Sequence, residues 1–228
     1  MDQQRAKTLL GEAAAKSVEN HMRLGLGSGS TVAACITALA RRVRDDNLVL
    51  HLVVASKVSG RLAEAHGLLV VSDELRGSLD YAIDGADFVD PTGILIKGGG
   101  GALVRERMIL DSADRTLILV DASKPVGHLE GCKIPVAVVP FGWQIVLEKL
   151  KRLGASVRLR YNRSEPFLTD DGLWILDTVW NSIPSPEALH HQLKSLPGVV
   201  DTGIFVGYQQ EVWMSEGHTV SPWRPLKG

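Results

Sequence analysis

The chain has 228 residues, 45% of them hydrophobic and 22% charged, with a formal net charge of −1. That balance describes a globular protein with a substantial core, and it excludes a global basic field that would draw the chain to nucleic acid or an anionic membrane. The two cysteines, Cys35 and Cys132, are too few and too far apart for a disulfide scaffold, so both are expected to be reduced packing residues.

Residues 6–22 place Ala6, Leu9, Leu10, Ala13, Ala14, Val18 and Met22 at helical spacing. Charged residues from Asp2 to Glu19 interrupt this stretch, and no later apolar run approaches spanning length, so a cytoplasmic protein with no membrane partner is expected. A strand over 22–26 then runs into Gly27-Ser28-Gly29-Ser30-Thr31, followed by a helix over 32–43. Apolar runs predict strands at 48–55, 68–71, 79–83, 94–97 and 116–120, with helices at 59–66 and 102–113. Alternating apolar strands and amphipathic helices imply an α/β fold: a Rossmann-like, mostly parallel sheet covered on both faces.

Beyond Pro135 the rhythm changes to strand (136–139), helix (144–153), strand (156–160), a second strand ending at Thr169, a turn at Asp170-Asp171-Gly172 and a returning strand (174–177). A helix over 186–193 and a strand over 199–206 complete a β-α-β-β-α-β unit, which is ferredoxin-like. The expected division is a Rossmann-like catalytic domain over 1–133 plus 207–228, with an inserted ferredoxin-like α+β domain over 134–206. The Pro-containing stretch 220–228 is expected to fray.

Several loops carry chemistry. Glycines in 25–31 let backbone approach a ligand, and free amides at a helix start attract an anion. The segment departs from the dinucleotide fingerprint and from the Walker A loop, and reads either as a phosphate cradle or as a serine-capped turn. Asp84-Gly85-Ala86-Asp87 follows a strand at the carboxyl edge of a parallel sheet, where such sheets bind ligands; the alternative is a polar turn. Lys97-Gly98-Gly99-Gly100-Gly101 suits main chain lying flat against a ligand and offering successive amides. Glu106, in the helix that this run opens, is the acid best placed to act as a base, and Lys124 after the 116–120 strand can add a cation. No His or Cys cluster has metal spacing and no serine sits at a nucleophile elbow, so no metal is expected. Strands ending near 26, 83, 97 and 121 would bring an anion cradle, carboxylates and cations to one edge, which favours a small phosphorylated polyol over a nucleotide.

These segments resemble, in order and over nearly the whole chain, the type A ribose-5-phosphate isomerases. The resemblance rests on 27–31, Ile83 to Asp87, Leu95 to Gly100, Leu103 to Glu106, Val120 to Lys124, Pro135 to Phe141, Thr169 to Asp177 and Pro197 to Phe205. It implies a cofactor-free aldose–ketose isomerase acting on a small-molecule sugar phosphate, D-ribose 5-phosphate, in the pentose phosphate pathway, as a homodimer or homotetramer. It implies Glu106, Asp84, Asp87 and Lys97 as catalytic residues. Substrate contacts would come from Lys7, Ser28, Gly29, Ser30, Thr31, Asp84, Gly85, Ala86, Asp87, Lys97, Gly98, Gly99, Gly100 and Lys124. Phe88 and Ser28 depart from the family pattern, as does the stretch from Tyr208 onward. Two other readings are a sugar-phosphate sensor, which would need no Glu106 and would normally carry a helix-turn-helix, and a coenzyme A transferase, which would need an adenine pocket.

Overall fold

The computed structural model describes residues 3–71, 76–208, 211–216 and 218–223. The first part of the chain runs α1 (Gln3–Lys16), β1 (Arg23–Leu26), α2 (Ser30–Asp45), β2 (His51–Val54), α3 (Lys57–Ala65), β3 (Leu79–Gly85), β4 (Phe88–Val89), β5 (Leu95–Ile96), α4 (Leu103–Asp111) and β6 (Ala113–Asp121). There follow β7 (Lys133–Val138), α5 (Trp143–Arg152), β8 (Ala155–Leu159), β9 (Tyr161–Asn162), β10 (Glu165–Pro166), β11 (Trp174–Trp180) and α6 (Pro186–Lys194). The last strands are β12 (Val199–Thr202), β13 (Ile204–Phe205), β14 (Glu211–Glu216) and β15 (Thr219–Trp223).

The central sheet has the order β15-β14-β6-β3-β1-β2. It is parallel except for the antiparallel edge pair β14–β15. The middles of its strands, such as Leu117 to Val120, read as apolar runs because both faces are buried. Leu52, Ile83, Leu117 and Leu119 pack against Leu10 and Ala14 of α1 and Ile36 and Leu39 of α2. On the other face, Val53, Ala82, Ile118 and Val120 meet Leu103, Ile109 and Leu110 of α4. The parallel α/β reading therefore holds.

A separate antiparallel sheet has the order β12-β7-β11-β8, the ferredoxin-like arrangement expected from β-α-β-β-α-β. It encloses its own core, with Val136, Val146, Leu150, Leu176 and Leu193 buried.

Local differences have physical causes. The first helix stops at Lys16, short of Met22: the Ser17 hydroxyl donates to the Ala14 carbonyl (2.8 Å), and His21 turns the chain at φ 65°. Residues 68–71 make a single parallel bridge to β2 through Val70 and no full strand. The strand expected to end at Thr169 is instead the short β9–β10 hairpin, outside the four-stranded sheet. The run 199–206 breaks at Gly203, where the chain leaves β12 and continues as β13 beside β5. A β-carbon at Gly203 would lie 2.4 Å from the Lys97 carbonyl oxygen, so only glycine allows this crossing. Residues 220–223, expected to fray, belong to the edge strand β15; 224–228 lie outside the described residues.

Candidate active site

Parallel β1, β3 and β6 end on one side of the central sheet, so residues 27–31, 84–87 and 121–124 emerge together. The fourth predicted loop arrives differently. Its strand β5 is absent from the central sheet and pairs with β4 and β13 in a three-stranded antiparallel sheet. The Lys97 amide donates to the Gly203 carbonyl (2.9 Å), and this small sheet delivers Lys97 to the same rim.

The loops enclose a cavity of about 140 Å³ lined by Lys7, Ser28 to Thr31, Gly85 to Asp87, Lys97 to Gly100, Glu106 and Lys124. That is small beside the ~300–1,000 Å³ of drug-sized sites and suits a compact metabolite. At its rim Gly29 caps α2 with no side-chain acceptor for the first helical amides, which are free to meet an anion. Lys7 from α1 and Lys124 from the loop after β6 bring two cations to the same wall.

At the floor, Lys97, Asp84 and Glu106 are 3%, 1% and 5% exposed. The Lys97 Nζ lies 2.7 Å from Asp84 Oδ2 and 3.3 Å from Glu106 Oε2, and also donates to the Gly85 carbonyl. Asp84 Oδ1 accepts from the amides of Gly85 (2.7 Å) and Ser28 (3.4 Å). Gly27 makes this possible, because a β-carbon there would fall 1.9 Å from the Asp84 carboxyl carbon. Asp87 Oδ2 accepts from the Gly99 amide (2.7 Å), tying the carboxylate loop to the glycine run.

One lysine between two buried carboxyls leaves one negative charge too many, so a proton must be held nearby. Burial raises Asp84 and Glu106 alike, and Lys97 opposes both shifts; Glu106 comes out at about 8. The shorter lysine contact and the two amides favour the ionised form at Asp84, and Glu106 keeps the proton. Burial lowers Lys97, but Asp84 and Glu106 more than offset it; the net shift is upward and the lysine stays charged.

Of the predicted site residues, all but Asp84 line the cavity; Asp84 sits beneath Lys97 rather than on the wall. Sequence reading passed over a supporting tier. The Ser28 and Ser56 hydroxyls lie 3.0 Å apart, Ser56 bonds to Ser59, and the Ser59 hydroxyl donates to the Gly27 carbonyl. Ser56 also caps α3 by accepting from the Ser59 amide, a signal readable as a serine just ahead of a helix. Asp170 accepts from the Lys57 amide (2.8 Å) and Asp171 pairs with Arg105 (2.8 Å), bringing the turn 170–172 against the site. Arg160 donates to the carbonyls of Gly98 and Gly99, a contact that no local pattern announces.

Fold and site together define a class: an α/β enzyme with a small anion-attracting cleft over a buried lysine–carboxylate cluster. The comparisons resolve the class further. Residues 51–218 match the model for ribose 5-phosphate isomerase A (phosphoriboisomerase A). The chain is 39% identical over 215 residues to ribose-5-phosphate isomerase A 1 of Oceanobacillus iheyensis, covering 94% of this chain and 96% of that one. Its structure is similar to that of ribose 5-phosphate isomerase A from Methanocaldococcus jannaschii, with TM-score 0.90, 33% identity, and 96% and 98% of the two chains covered. It is also similar to a D-ribose-5-phosphate isomerase in complex with phospho-erythronic acid, with TM-score 0.93, 31% identity, and 98% and 100% covered. The chain belongs to the ribose 5-phosphate isomerase A family.

Proposed function

We propose that this protein interconverts D-ribose 5-phosphate and D-ribulose 5-phosphate through an enediolate, in the non-oxidative branch of the pentose phosphate pathway. The observation that carries the reading is the Lys97-bridged pair of carboxyls beneath a cleft rimmed by unpartnered helix amides and two lysines. The solved relative bound to phospho-erythronic acid supports a phosphorylated sugar as the ligand class.

In this reading the phosphate sits on Ser28 to Thr31 with Lys7 and Lys124, supplying binding energy remote from the reacting carbons. Asp87, with Asp84 beneath, assists ring opening and the transfer of the proton between the two oxygens. The main chain of Gly85, Ala86, Gly98, Gly99 and Gly100 shapes the cleft around the open chain. Glu106 takes the C2 proton of the aldose and returns it to C1. Negative charge then develops on the enediolate oxygen, where Lys97 and the glycine-run amides stabilise it; such preorganised charge is frequently the larger contribution. A base with a pKa near the working pH is well matched to this work.

The same reading divides the chain into a catalytic unit, 1–133 plus 207–228, and an inserted unit, 134–206, a division supported by the separate four-stranded sheet. It also takes the protein to be a cytoplasmic homodimer or homotetramer, which light scattering on the purified chain would test.

The decisive experiment is turnover of ribose 5-phosphate by wild type and by Glu106→Gln. The variant keeps the phosphate loop and the side-chain volume, so KM should stay close to wild type while kcat falls about 10²–10⁴-fold. A variant with wild-type kcat would remove Glu106 from the reaction. Wild type that binds the sugar phosphate without converting it would favour the sensor reading.

A further inference from the structure

Resting on that reading, we propose that Arg160, a residue of the four-stranded-sheet unit, is a positioning residue that aims the glycine-run amides into the cleft. Arg160 follows β8, and its side chain is 90% buried. Its guanidinium is used on two edges. Nε and Nη2 grip both oxygens of Asp177, Nε at 3.0 Å. Nη1 donates at 3.0 Å to the carbonyl of Gly98 and at 3.0 Å to the carbonyl of Gly99.

A trans peptide points its C=O and the following N–H in opposite directions. Fixing the Gly98 carbonyl on Arg160 therefore turns the Gly99 amide the other way, and that amide is found on Asp87 Oδ2 at 2.7 Å. Fixing the Gly99 carbonyl turns the Gly100 amide the same way, toward the cleft that Gly100 lines. Two successive carbonyls held on one nitrogen thus set the direction of two successive donors. Four consecutive glycines have little preference of their own for this arrangement, so an external clamp is needed. A planar fork held bidentately by Asp177 is suited to the task; an ammonium on a flexible stem is not. The Phe167 ring, 5.6 Å from the Arg160 guanidinium, closes the far side of the run against Gly101.

The test uses Arg160→Lys, which keeps the charge and the ion pair, beside Asp177→Asn, which weakens the ion pair and leaves the Arg160 donors in place. Arg160→Lys should melt within a few degrees of wild type, displace the Gly99 and Gly100 amide resonances, and lower kcat on the order of 10²-fold, as a misplacement of about 1 Å can. KM for ribose 5-phosphate should move less than about threefold, because the phosphate contacts at 28–31 are untouched. Asp177→Asn should lower kcat less than Arg160→Lys does, since the side-chain amide oxygen still accepts from the fork and Nη1 keeps both carbonyls. Wild-type kcat in Arg160→Lys overturns the proposal, and so does an equal loss in both variants, which would make the arginine a brace only. The resonances are read without substrate, so failure of the isomerase reading is separable. Wild type inactive on ribose 5-phosphate sinks that reading, while a displaced Gly100 amide in Arg160→Lys still supports the clamp and an unmoved one overturns it.

Discussion

Glu106 stands in an early turn of α4, where an exposed glutamate would do little more than complement the helix dipole. Burial, with the Asp84 carboxylate adding to it, raises its pKa to about 8 instead, against the opposing pull of Lys97. The sign of the pH dependence follows. A base must be ionised to accept the C2 proton, and Glu106 is protonated below its raised pKa. kcat/KM for ribose 5-phosphate should rise about tenfold per pH unit on the acid side and level off near pH 8. Lys97, shifted upward, remains charged throughout that window. A profile flat from pH 5 to pH 9 would contradict this assignment, as would the same acid limb in the residual activity of Glu106→Gln. The chemistry at this position was legible in the sequence only through its neighbours. Glu106 alone looks ordinary, but beside the 97–101 run it lines the cleft.

At the scale of elements, support for the 27–31 loop, the proposed phosphate cradle, comes from the neighbouring helix. Ser56 caps α3 and also holds the Ser28 hydroxyl, so one side chain couples helix stability to cradle geometry. Ser56→Ala should cost about 0.5–2 kcal/mol of stability through the lost cap. In a domain of this size that is a fall of roughly 1–8 °C in Tm. KM should rise as well, because Ser28 loses its partner; a thermal shift with unchanged KM would detach the two roles. The elements themselves were readable to different degrees. Long apolar runs such as 116–120 and 79–83 identified the parallel sheet, since burial on both faces leaves them almost uninterrupted by polar residues. The two-residue strand β4 carries no period long enough to recognise, and the runs 94–97 and 199–206 located β5 and β13 without revealing the small sheet that they form. Their pairing depends on a change of sheet at Gly203, decided by contact with Lys97, distant in sequence. Arg160 escaped notice for the same reason: its partners are backbone carbonyls more than sixty residues away.

Over the whole molecule, positive charge in the cleft comes from Lys7, Lys97 and Lys124, contributed by three different elements or loops. Because Lys97 can serve as the cation for the developing oxyanion, turnover of ribose 5-phosphate should persist in excess EDTA. Loss of activity there, restored by a divalent ion, would reassign that role. Contacts from the four-stranded-sheet unit reach the glycine run at Gly98 and Gly99, α3 at Lys57 and α4 at Arg105, so the second unit takes part in shaping the site. The parallel pairing of β6 with β14 joins Leu117 to Glu211 and Asp121 to Ser215, across the entire intervening antiparallel unit. On the ribosome, β6 is synthesised long before the strand that covers its edge. Its backbone donors and acceptors stay open to stray pairing while the intervening segment is made, and closing so long a loop is slow. The nascent chain is therefore most prone to aggregate in that interval, and most in need of a chaperone then.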